Sequence, residues 1–145
     1  MKHGAFVGRL DHDRIVAAIR AAEDRSRGEI RVHVSRQSVT DPEKAAAAQF
    51  EKLGMTKTAE RSGVLLFVAP ASQRFAVVGD RGIHERCGPG FWTEVAAAME
   101  ADFRQGRFTD GIVKGVTKAG DALAEHFPRT GSPDVNELSD EVSED

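Results

Sequence analysis

Gly79–Trp92 holds Asp80, Arg81, His84, Glu85, Arg86 and Trp92 within a few residues of one another. Carboxylates beside an imidazole and guanidinium groups can hold a cation, move a proton or grip an anion. The stretch is glycine-rich, follows a strand-like run and precedes a helix-like one. Loops on a rigid sheet commonly carry function, and the opening N–H groups of a helix favour an anion. An architectural reading stands beside this one, in which the glycines make turns and Trp92 closes the core. Asp110, at a later helix start, reads by default as a cap.

Other candidate motifs dissolve on inspection. Asp11-His12-Asp13 imitates the Asp-x-Asp of aspartate phosphatases, but Leu10 alone precedes it where a buried strand is needed. Capping of the helix that follows is the better reading. Cys87 lacks an arginine five residues on, where a cysteine phosphatase requires one, and reads as a semi-buried thiol despite Arg81 and Arg86 nearby. His3, His12, His33, His84 and His126 are scattered, none three or four residues from another, so zinc spacing is missing. Gly79-Asp80-Arg81-Gly82 is a bare Gly-x-x-Gly. Asp134 and Asn136 open like a calcium loop, but Leu138 and Ser139 stand at its fifth and sixth places, where an oxygen ligand and glycine are needed.

With 145 residues, 40% of them hydrophobic and 30% charged, the chain is expected to be one globular domain. The formal charge is −3. Residues 128–145 hold six acids and one base, a net −5, which leaves +2 on residues 1–127. A near-neutral body with an acidic tail excludes a strongly basic nucleic-acid binder. One cysteine excludes an internal disulfide framework. The longest apolar run, Val64–Ala71, is strand-sized, far below the ~20 residues that span a bilayer. The first residues carry no secretory h-region. A cytoplasmic monomer, not itself transmembrane, is the expectation.

The elements that must position these residues follow from periodicity. Ile15, Ala18, Ile19 and Ala22 form one helical stripe. Ile30, Val32 and Val34 alternate with Glu29, Arg31 and His33, as in a strand with one polar face. Asp41-Pro42 starts a helix that Gly54 ends. Val64–Val68 reads as a central strand covered on both faces, and Phe75–Val78 as its antiparallel neighbour. Gly79–Gly90 is expected as a loop with at most one helical turn at Ile83–Arg86. Helices follow over Phe91–Gln105 and from a Thr109 or Asp110 cap to Pro128. The order α-β-α-β-β-α-α predicts an α/β fold: a three-layer α/β/α sandwich around a small mixed β-sheet, Rossmann-like in appearance. Residues 1–128 form the domain, and 129–145 a flexible acidic tail that Leu138 or Val142 could dock. An antiparallel third strand would place Asp80 on one edge with the Arg61 approach to the second strand and with the Ser26–Gly28 turn.

Gly28-Glu29-Ile30-Arg31-Val32, Leu53-Gly54-Met55, Arg61–Ala69, Val78-Gly79-Asp80, Gly82-Ile83-His84-Glu85, Phe91-Trp92, Phe108-Thr109-Asp110-Gly111 and His126-Phe127-Pro128 occur in one order. Together they resemble the TPM domain family, named for a thylakoid-lumen phosphatase, a photosystem II repair protein and a receptor modulator. The resemblance spans residues 5–128 and is nearest the short stand-alone bacterial branch, whose acidic tail element Asn136–Glu141 matches. It implies an α/β/α sandwich. It also implies acid phosphatase activity and calcium binding, both attributed to a plant relative, with Asp80 as the position to carry over for metal. Short bacterial relatives often accompany LemA-like membrane proteins, which implies a protein partner, including a membrane-associated one.

Two functions follow as expectations. The first is a binding or regulatory module working through protein contacts, since no nucleophile, base and orienter set stands out. The second is a divalent-metal-assisted acid phosphatase acting on phosphate esters. There Asp80, Glu85 and Asp110 would hold Ca²⁺ or Mg²⁺, which would polarise the phosphoryl oxygen and generate hydroxide. Arg81 or Arg61 would steady the phosphate, and His84 would protonate the leaving group. Beyond that set no cofactor is assigned, and no nucleic-acid partner is expected.

Overall fold

A computed structural model describes residues 1–129 and 142–145. Asp11 and Asp41 start two helices as their side-chain type predicts. Asp11 accepts the Arg14 N–H at 3.1 Å and opens α2 (His12–Asp24). Asp41 accepts the Lys44 N–H at 3.1 Å and opens α3 (Pro42–Lys52), with Pro42 in the first turn where it lacks no bond. Leu53 and the left-handed Gly54 end α3.

The sheet order is β3-β2-β1-β4. β1 (Glu29–Val34) runs parallel to β2 (Gly63–Ala69), with Ile30 opposite Val64 and Val34 opposite Val68. β3 (Arg74–Gly79) returns antiparallel through a Pro70–Ser72 turn, with Val64 opposite Gly79. Every residue of β2 is buried, because alternate side chains serve different layers. Val64, Leu66 and Val68 join Ile30, Val32 and Val34 against α2, α5 (Pro89–Arg104) and α6 (Phe108–His126). Leu65, Phe67 and Ala69 pack with Ala46 and Phe50 of α3 on the other face. The result is the three-layer sandwich. Each fully buried Ile, Leu or Val contributes about 1.5–3 kcal/mol, so the larger layer dominates stability. At the α2–α6 crossing, Gly120 lets the helices close up: a Cβ there would lie 2.5 Å from the Ala22 Cβ.

The structure departs from the sequence expectations in four places. A short α1 (His3–Gly8) precedes α2, although it has no side-chain cap and carries two glycines. Burial of Phe6, 4.9 Å from Phe108, overrides this weak local preference. Gly79–Gly90 is not mainly loop, since α4 (Arg81–Cys87) runs two turns from an Asp80 cap. Neither Thr109 nor Asp110 caps α6. Thr109 instead accepts the Asp11 N–H at 3.0 Å and Asp110 pairs with Arg14 at 2.8 Å, tying the starts of α2 and α6 together. Finally, Glu29 and His33 on the polar side of β1 are buried. Part of the cover comes from β4 (Ser143–Glu144), which pairs parallel with β1. Val142–Asp145 thus lie against the fold, and the expected docking residue Val142 packs on the larger core. Leu138 and the Asn136–Glu141 element lie outside the described residues.

Candidate functional site

Asp80 stands where β3 ends, directly across from the start of β2. Its N–H reaches the Gly63 carbonyl at 2.8 Å, and its carboxylate caps α4 by accepting the Arg81 N–H at 2.8 Å. The same carboxylate accepts Arg61 Nε at 2.7 Å and Nη2 at 2.8 Å, a two-pronged pair. The Asp80 side chain is 5% exposed and that of Arg61 34%. Arg61 adopts φ 53°, a left-handed conformation that costs a residue with a Cβ about 1–2 kcal/mol. The neighbouring backbone is just as tight: a Cβ on Gly82 would fall 2.2 Å from the Glu60 carbonyl oxygen, and one on Gly79 would fall 2.2 Å from the Trp92 ring. The Gly-x-x-Gly spacing is therefore a packing requirement.

The Ser26–Gly28 turn and the Arg61 approach do share this edge with Asp80. Arg27 donates to both Glu60 oxygens, at 2.7 and 3.1 Å, and also to the Pro128 carbonyl. The hydrogen bond from Arg27 outweighs desolvation and holds the Glu60 carboxyl below its usual range. Arg86 stacks on the Phe127 ring at 4.3 Å. Two ion pairs and a cation–π contact tie α4, the β2 approach and the end of α6 together at this edge.

The predicted site residues are not gathered. Arg81, His84 and Glu85 are exposed on α4, and Asp110 lies on α6 with Arg14. Arg81 and His84 face a shallow hollow of about 660 Å³ along β3, walled by Val77, Gly79 and Trp92. Among the described residues no three His, Cys, Asp or Glu side chains group as metal ligands. With both Asp80 oxygens on Arg61, the set Asp80, Glu85 and Asp110 does not fit a Ca²⁺ or Mg²⁺ ion. Burial and the Glu125 charge push the Cys87 thiol up, the reverse of an activated nucleophile.

A second constellation lies at the opposite end of the sheet, beyond the carboxyl end of β1, and the residue patterns had not singled it out. Asp145 accepts the Ser35 hydroxyl at 2.7 Å, the Arg36 N–H at 2.5 Å and, across 2.5 Å, meets His33 Nε2. His33 Nδ1 meets Ser143 Oγ at 3.1 Å, and the His33 ring stacks on Phe67. The sequence signal was there in part: a histidine and a serine two apart in a strand share one face, and an acid-rich segment exists to meet them. The pairing spans more than a hundred residues, beyond the reach of any local pattern.

An α/β/α sandwich with a mixed sheet, four-stranded among the described residues, and an ion-paired edge defines a domain class rather than a catalytic type. The TPM domain family matches residues 5–122, and the chain belongs to that family. Its fold is similar to that of the BA42 protein from the psychrophilic bacterium Bizionia argentinensis, solved by NMR. The two are 37% identical over 94% of this chain and 96% of that one, with a TM-score of 0.84. It is also similar to the N-terminal domain of a P. gingivalis protein, at 22% identity over 79% and 76% of the two chains and a TM-score of 0.61, a likeness of fold alone. No curated protein matches the chain. Among the described residues no helix is long and apolar enough to cross a membrane.

Proposed function

We propose that this TPM-domain chain is a binding or regulatory module that acts through protein contacts, with a membrane-associated protein among its partners. One observation carries the reading. Both oxygens of the best-placed carboxylate, Asp80, are engaged by Arg61, and its side chain is 5% exposed. A phosphatase would need an open carboxylate or a metal there. The proposal takes the chain to work as a cytoplasmic monomer, with its polar surfaces as contacts.

The test has two arms. The purified chain is assayed on a generic phosphate ester with Ca²⁺ and with Mg²⁺, alone and as Asp80→Ala, and no metal-dependent turnover is expected. In parallel, the tagged full chain is used to capture proteins from detergent-solubilised membranes, where a specific, saturable partner is expected. Turnover that needs both metal and Asp80, with no partner captured, would overturn the reading.

A further inference from the structure

We propose that the outer edge of β1, with His33, Ser35 and the Arg36 N–H, is a docking groove for an extended acidic segment of a partner protein. Residues 142–145 are its intramolecular occupant. The proposal rests on the reading of the chain as a binding module and names the partner chemistry.

Main-chain pairing supplies the frame. β4 lies parallel to β1 with Ser143 opposite His33 and Glu144 opposite Val34. An extended peptide added to a sheet edge draws affinity from such bonds and specificity from alternate side chains. Those side chains are read on both faces here. Ser143 and Asp145, two apart, meet His33 on one face. Glu144, between them, reaches His3 Nε2 of α1 at 3.4 Å. The segment that fits is therefore a small hydroxyl residue, an acid, then an aspartate.

The receiving side is built for a carboxylate. The Ser35 hydroxyl and the Arg36 N–H donate to one Asp145 oxygen, and His33 Nε2, which donates to a carboxylate when it carries the proton, lies 2.5 Å from the other. His33 is 1% exposed with the segment docked, and among the described residues its two ring nitrogens meet Ser143 and Asp145. Among the described residues β4 pairs with His33 and Val34 of β1. A cavity of about 530 Å³ continues beside Asp145 to Val39, Gln49 and Lys52, offering apolar wall and a cation to a longer acidic segment. A strand held by these two rungs can be exchanged for a partner strand whose longer acidic segment also fills this cavity.

The experiment uses the ¹⁵N-labelled full chain and, as probe, a fluorescent synthetic peptide with the sequence of residues 136–145. Asp145→Ala in the chain empties the clamp. That variant should bind the probe about tenfold or more tightly than the unaltered chain does, because the resident competitor is weakened. Shifts should appear at the Val34, Ser35 and Arg36 amides. A probe carrying Asp145→Asn, or a chain carrying Ser35→Ala as well, should lose most of that binding, with the far-ultraviolet spectrum unchanged. Equal or undetectable binding by both chains would overturn the proposal. So would formation of a dimer in which two copies exchange residues 142–145. If Ser35→Ala left capture of a membrane-extract partner intact, the groove assignment would fall while the module reading stood.

Discussion

Truncating Arg61 should destabilise the chain more than truncating Asp80, although both changes break the same ion pair. Asp80→Ala removes the α4 cap, worth about 1 kcal/mol. It also frees an arginine that is 34% exposed and can turn to water, so the lost pair adds only about 1 kcal/mol. Arg61→Ala leaves a carboxylate that is 5% exposed with only the Arg81 N–H to satisfy it. Stranding a buried charge in this way costs about 3–5 kcal/mol. The double variant should then be more stable than Arg61→Ala alone, since removing the stranded carboxylate removes the penalty. Urea unfolding of the three variants, with an unchanged slope m, measures this directly. If Asp80→Ala were the more damaging change, or if the two effects simply added, Asp80 would not be the buried, dependent partner. The account of this edge as structural would then fail.

Three further outcomes follow from the packing and the charges. Gly120→Ala, which in an open helix would gain up to about 1 kcal/mol, should instead lower the melting temperature, because its Cβ meets Ala22 at 2.5 Å; a rise would show that α2 and α6 separate at no cost. Burial raises the Asp145 carboxyl, but hydrogen bonds from Ser35, the Arg36 N–H and His33, with the His33 charge, outweigh it and leave a net lowering. A carboxyl lowered in the folded state stabilises docking above its unfolded value, and that contribution is lost as pH falls through the folded value. Amide shifts of Ser35 and Arg36 should therefore report β4 release on the acid side of the ordinary aspartate range, with His33, Glu144, His3 and Lys52 as the facing groups, and release on raising the pH instead would contradict the clamp. Cys87, its thiol raised by burial and by Glu125, should react with iodoacetamide at pH 8 more slowly than a free thiol, whereas a faster rate would revive it as a nucleophile.

Local chemistry determined much of this fold from the sequence alone. Asp11, Asp41 and Pro42 start their helices because a cap acts within three residues. The β1, β2 and β3 strands follow from alternation and from a fully apolar run, and the antiparallel β3 brought Asp80 to the Arg61 edge as the reading expected. The tertiary structure alone decided what those charged residues do. Asp80 looks the same in a sequence whether it faces a metal or an arginine. The difference is a bidentate contact across nineteen residues and a backbone too close for a Cβ on Gly82. His33 likewise read as one scattered histidine on a wet face. Its burial and both its polar contacts depend on Ser143 and Asp145, and a pattern confined to neighbouring residues carries no information about which distant strand completes a sheet edge.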